Sequence, residues 1–165
     1  MRWNNLPADE ALREILPCCG STAWAQQMAT RRPFANDVSL LAVSDETWRS
    51  LSGAAWDEAF RSHPRIGETR TARPAHARSA AWSALEQRTA AVTGEDVKIA
   101  LAAGNKEYER RFNRIFIVCA SGKTAPEILE ILRRRLQNDP EVELREAVEQ
   151  QRQIMHLRIK RWLGE

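Results

Sequence analysis

Along 165 residues, only Phe116-Ile117-Val118-Cys119-Ala120 has the continuous apolar run of a buried strand. It stops at Ser121-Gly122, and no second stretch offers it a partner. A strand without a neighbour leaves its N–H and C=O groups unsatisfied. The better reading is an extended segment threading a helical core. Elsewhere Ala, Leu, Glu, Arg and Gln dominate, all of them helix formers, and β-branched residues are sparse. Fold class is therefore expected to be all-α. The length suits one domain over 1–165, large enough to bury a core.

Punctuation divides the chain into helices. Pro7 and the acids after it open a helix over 6–18, and Pro17 with Gly20 is expected to close it. Ser21 caps a second helix carrying Trp24, Ala25 and Met28. Arg32-Pro33-Phe34 reads as a loop wrapped against the core. Residues 36–51 are roughly helical, with Ser44-Asp45-Glu46 expected to interrupt them. Residues 52–63 form a helix, and Glu68–Pro74, with Thr69, reads as a loop. A helix over 75–93 places Ala80, Ala81, Trp82, Leu85, Ala90 and Val92 on its apolar side. Gly94-Glu95-Asp96 opens the next, through Ile99 and Leu101 towards Tyr108 and Phe112. Thr124 with Glu127 has capping-box spacing for a helix to about residue 138. Asp139-Pro140 starts the last, on which Leu144, Val148, Met155, Arg158 and Trp162 form one stripe, with His156 off it and exposed.

Charge and cysteine usage exclude several classes. The formal net charge is +3, and bases alternate with acids, which is not a nucleic-acid footprint. The run Arg133-Arg134-Arg135 is expected on a solvated helix face. Cys18, Cys19 and Cys119 have no metal-ligand spacing and read as free thiols of a reducing compartment. No stretch has the length and apolarity of a membrane span.

Three side chains stand out chemically. Trp56, Ala59/Phe60 and His63 recur at helical spacing, and Pro64 biases His63 out of the helix. An imidazole, which titrates near neutrality, is thereby set against an apolar wall. Gly67 permits a tight turn beside it, and Asp57, Arg61, Arg65 and Glu68 crowd charge around it. A hydrogen-bonded core histidine is the plainer alternative. Glu86 lies one turn after Trp82, near the apolar face, where a buried carboxylate needs a partner. Snorkelling, or pairing with Arg88, is its plainer alternative. Arg158, on a core-facing stripe, needs an anion: either a ligand or an acid such as Glu86.

His63-Pro64-Arg65-Ile66-Gly67-Glu68 resembles the signature of the OHCU decarboxylase family, which acts on 2-oxo-4-hydroxy-4-carboxy-5-ureidoimidazoline, the last intermediate between urate and (S)-allantoin. Cys18-Cys19-Gly20-Ser21, Ser83-x-x-Glu86-Gln87, Asn105-x-x-Tyr108-x-x-x-Phe112, Phe116–Ala120 and the residues around Arg158 resemble it in the same order. Asn113 departs from the usual glycine, but asparagine tolerates positive φ. The resemblance implies a single compact domain of eight or nine helices and a decarboxylation giving (S)-allantoin without metal or organic cofactor. It implies His63, Glu86 and Arg158 as catalytic, and Pro64, Ser83, Gln87, Phe116, Ile117, Val118, Cys119 and Ala120 as substrate-binding. It further implies a small-molecule substrate, no nucleic acid or membrane partner, and homodimers in some members. Leu163-Gly164-Glu165 is no peroxisomal Ser-Lys-Leu address, which suits a bacterial cytoplasmic enzyme. The rival readings are a non-catalytic helical module binding a ureide or small anion, and a helical interaction protein.

Overall fold

The computed structural model describes residues 1–67, 77–91 and 94–164. These residues form a short 3-10 helix (Arg2–Asn5) and nine α-helices: α1 (Ala8–Cys19), α2 (Thr22–Thr30), α3 (Asp37–Ser50), α4 (Gly53–Arg61), α5 (Ala77–Glu86), α6 (Arg88–Ala91), α7 (Glu95–Phe112), α8 (Ala125–Arg135) and α9 (Pro140–Leu163). No strand occurs among them, so the fold is all-α. The loop expected over Glu68–Pro74, including Thr69, and the position of Val92 lie outside the described residues. No described helix is long and apolar enough to cross a membrane.

The chain divides into two units: Met1–Ala59 with Arg152–Glu165, and Phe60–Gln151. The first is built from α1, α2, α3, most of α4 and the end of α9. Ser21 caps α2 as its sequence position suggests, with Oγ accepting from Trp24 N–H at 3.4 Å. Pro17 does not end α1. The helix continues to Cys19 and closes on Gly20, at φ +83. Proline removes one N–H but leaves its own carbonyl, and near a helix end that carbonyl has no intrahelical donor. Arg158 Nη1 supplies one, 3.4 Å from Pro17 O. Nor does Ser44-Asp45-Glu46 break α3, which runs unbroken from an Asn36–Ser39 capping box. Ser44 is buried, and its carbonyl accepts from Trp24 Nε1 at 3.4 Å. Trp3 stacks on Phe34 at 5.8 Å and meets Trp162 edge-on at 5.5 Å, so the Arg32-Pro33-Phe34 loop does wrap the core. Arg32 secures that loop by donating to the carbonyls of Ala29, Trp3 and Leu6.

The second unit holds α5 to α8, the first half of α9 and the segment Phe116–Ala120. Its core joins Leu101, Tyr108 and Phe112 of α7 to Ile128, Leu129 and Leu132 of α8. Ile99 is on the other side of α7, 61% exposed. Asn113 ends α7 in the left-handed region (φ 53, ψ 33), with its N–H donating to Glu109 O at 2.8 Å. The substitution for glycine is thus accommodated. Thr124 and Glu127 form the anticipated capping box on α8. That helix stops at Arg135, earlier than expected, in a turn over 136–138.

Two charged groups correct the sequence reading. Arg133 and Arg134 are solvated, but Arg135 is fully buried, because helical spacing turns the third arginine towards the core. It donates to Glu143 Oε1 through Nε (2.9 Å) and Nη2 (2.5 Å), and to Ile117 O through Nη1 (2.6 Å). The buried stripe of α9 accordingly runs through Glu143, Ala147, Gln151, Ile154, Met155, Arg158 and Ile159, and Leu144 is only partly covered. His156 is not exposed: Nε2 lies 2.6 Å from Asp45 Oδ1, and Arg152 bonds the same carboxylate at 3.1 Å.

All three cysteines are free thiols and buried. Burial pushes the Cys19 thiol well above the ordinary thiol range. The native thiol keeps its proton where the unfolded one loses it, above about pH 8.5. Its contribution to stability is full below that pH and is lost as pH rises. Urea unfolding between pH 8.5 and 10.5 should show falling stability. In Cys19→Ala the slope should be shallower by about 1.4 kcal/mol per pH unit. An unchanged slope would contradict a buried neutral thiol.

Candidate active site

The turn after α4 carries the histidine. Ala59 and Phe60 bury the end of the helix, and His63 follows two residues beyond it, donating its N–H to Phe60 O at 3.1 Å. Pro64 explains why the helix does not reach His63. The His63 side chain is buried, at 8% exposure, and Pro64 is half-buried. Gly67 adopts φ +87, a left-handed conformation that a side chain would strain.

Three side chains fasten this turn. Arg65 forms a two-pronged pair with Glu109, Nε to Oε1 at 2.5 Å and Nη2 to Oε2 at 2.9 Å. Asn105 Nδ2 donates to Ile66 O at 3.1 Å. Gln87 Oε1 accepts from Gly67 N–H at 3.1 Å. Asn105 and Glu109 are four apart on α7 and share a face. Side chains from α7, with Gln87, thus hold the turn that follows the histidine. Glu109 escaped the sequence reading; its signal was the four-residue spacing from a buried Asn opposite an Arg-rich turn.

The buried face of α5 is polar. Ser79, Ser83 and Glu86 are the covered positions, with Glu86 at 6% exposure. Ala80 and Ala81 are exposed, Trp82 is half-buried and Leu85 is 46% exposed. The apolar face expected for this helix is therefore not the one it buries. Hydrophobic periodicity cannot find such a helix, because the positions it covers are polar and need hydrogen bonds of their own. Snorkelling of Glu86 is ruled out by its burial. Gln87 forms the break between α5 and α6, one residue beyond Glu86.

Phe116–Ala120 is buried throughout and belongs to no helix or strand. Phe116, Val118 and Ala120 enter the core shared with α7 and α8, whereas Ile117 and Cys119 do not. This alternation marks an extended backbone. Its polar groups are held by side chains: Ile117 O by Arg135, Cys119 N–H by Gln150 Oε1 at 2.8 Å, and Cys119 O by Lys123 Nζ at 2.8 Å.

Arg158 belongs to the other unit, where it is fully buried. Of the sequence-expected residues, then, the second unit brings the His63 turn against Gln87 by a direct bond. It carries Ser83 and Glu86 on one buried face, and it buries all five residues of the extended segment. Among the described residues no group of three His, Cys, Asp or Glu side chains is placed to hold a metal ion. Buried carboxylate, imidazole, hydroxyl and amide groups can bind a small polar molecule and move protons.

A family model described as OHCU decarboxylase matches residues 4–160. The uric acid degradation bifunctional protein TTL of Arabidopsis thaliana is 38% identical over 143 residues, 86% of this chain and 44% of that protein. The chain thus spans less than half the length of that relative. The 2-oxo-4-hydroxy-4-carboxy-5-ureidoimidazoline decarboxylase of Amia calva is 32% identical over 149 residues, 89% of this chain and 81% of that protein. A crystal structure of OHCU decarboxylase in the presence of (S)-allantoin is similar at a TM-score of 0.79 and 34% identity, over 92% of this chain and 98% of that one.

Replacing Asn105 by Leu removes the donor to Ile66 O and leaves a buried carbonyl unpaired. Thermal unfolding should show a loss of about 1–3 kcal/mol. A variant as stable as the parent would show that the turn does not depend on the Asn105 bond.

Proposed function

We propose that this chain, which belongs to the OHCU decarboxylase family, catalyses the cofactor-independent, stereospecific decarboxylation of 2-oxo-4-hydroxy-4-carboxy-5-ureidoimidazoline to (S)-allantoin and CO2. Residues 1–165 serve as one catalytic domain in urate breakdown. The observation that best supports the reading is the polar buried face of α5, where Ser83 and Glu86 occupy positions that an ordinary helix fills with apolar side chains.

Roles follow from the chemistry. Breaking the bond to the carboxyl carbon leaves an electron pair on the ring, and conjugation with the ring carbonyl spreads it. Donors fixed at that oxygen lower the barrier. Arg158 either stabilises this developing charge or anchors the departing carboxylate by a bidentate pair. His63 acts as acid and base and finally protonates one face of the carbon, which yields a single enantiomer. Glu86 either orients the imidazole or accepts from the ureido N–H groups. Pro64, Ser83 and Gln87 shape the pocket, and the backbone of Phe116, Ile117, Val118, Cys119 and Ala120 meets the heterocycle. The reading further takes a bacterial cytoplasmic enzyme that works on a small molecule, without nucleic acid or membrane partner, and that can form a homodimer.

Circular dichroism of urate treated with urate oxidase and hydroxyisourate hydrolase tests this. Adding the protein should bring rapid appearance of the (S)-allantoin signal. His63→Gln should lower the rate by about a hundredfold or more. Arg158→Lys should also fail, since an ammonium cannot reproduce a planar fork. If only slow racemic allantoin forms, as it does without the protein, the chain is a binding module for a ureide rather than a decarboxylase.

A further inference from the structure

The extended segment has two backbone edges, and side chains brace one of them. In an extended chain, the N–H and C=O of one residue point to the same edge, and those of the next residue point to the other. Ile117 and Cys119 share an edge, which three side chains hold: Arg135 on Ile117 O, Lys123 on Cys119 O, Gln150 on Cys119 N–H. Val118 faces the other edge, which it shares with Ala120, whose C=O accepts from Lys123 N–H at 3.0 Å. Val118 is 4% exposed, yet no described residue bonds its N–H or C=O. A buried backbone pair of this kind requires a partner. An adjacent donor and acceptor on an extended residue match the N–H and C=O of a cyclic amide or urea.

Resting on the decarboxylase reading, we propose that Gln150 is a positioning residue of the reaction. By accepting from Cys119 N–H it sets the rotation of the segment, and so keeps the Val118 edge turned towards the substrate ring. Arg135 and Lys123 brace the same edge. Arg135 also anchors α8 to α9 through Glu143, so its removal would disturb much more than the segment. Gln150 is partly exposed, and its only recorded bond in this region is the one to Cys119. That makes it the side chain whose removal isolates the effect.

The test compares Gln150→Leu, which has no acceptor, with Gln150→Glu, which keeps one, and with Lys123→Met. Heterocycle binding by a backbone edge acts on substrate and transition state alike, so its loss raises KM and leaves kcat in place. In Gln150→Leu, KM should rise about tenfold, the size of one lost buried hydrogen bond, with kcat within about twofold of the parent. Lys123→Met should raise KM by a smaller factor. Gln150→Glu should restore the parental KM. The dissociation constant of (S)-allantoin, by titration calorimetry, should follow the same order without any turnover. Parental KM and affinity in Gln150→Leu would overturn the proposal, as would failure of Gln150→Glu to rescue, or a fall in kcat alone. If the parent protein gives no turnover but the affinities keep this order, the decarboxylase reading fails and the positioning role stands.

Discussion

A fully buried ion pair ties the second unit together. Glu143 Oε1 receives two nitrogens of Arg135 and the hydroxyl of Tyr108, while Asn138 Nδ2 donates to Oε2 at 2.8 Å. The guanidinium lies over the Phe116 ring at 4.7 Å. Burying two charges costs several kcal/mol each, and mutual attraction offsets this only when the remaining donors and acceptors are also satisfied. Here they are shared among three helices and the extended segment. Burial also raises the Tyr108 phenol well above its ordinary range, despite the opposing effect of Arg135, so it remains a donor to the carboxylate. The last guanidinium nitrogen holds Ile117 O. A lone extended stretch can persist in an all-helical protein because a charged side chain stands where a neighbouring strand would.

That arrangement explains what could be read from the residues and what could not. Caps were legible because they depend on one side chain and its nearest backbone: Ser21, and Thr124 with Glu127, cap as their spacing suggests. The left-handed Asn113 was legible for the same local reason. The segment 116–120 was legible from its isolation. Features set by distant contacts were not. Pro17 looks like a terminator, but α1 continues past it, and its carbonyl is bonded by Arg158. Arg135 looks like one of three solvated arginines until Glu143, on another helix, is known to face it. The polar face of α5 defeats any search for apolar periodicity, because its covered positions are Ser79, Ser83 and Glu86.

The same logic connects structure to chemistry. Helices that bury Leu and Ile make a scaffold, as α7 and α8 do around Leu132. At Gly104 the scaffold is tight enough that an added Cβ would meet Leu132 Cδ2 at 2.6 Å. Against this rigid part stand a turn ending in His63, fastened by Asn105, Glu109 and Gln87, and a backbone edge braced by Gln150. Groups placed on stiff supports can hold a ligand in one orientation without reorganising.

On the proposed function, these buried polar groups receive a ureide heterocycle. Amide chemical-shift mapping of the isotopically labelled protein, titrated with (S)-allantoin, tests it most directly. The expected result is saturable shifts centred on Gly67, Ser83, Gln87 and Val118, with the exposed amides of Glu95 to Lys98 unmoved. Shifts confined to surface helices, or none at all at a concentration that inhibits turnover, would contradict it.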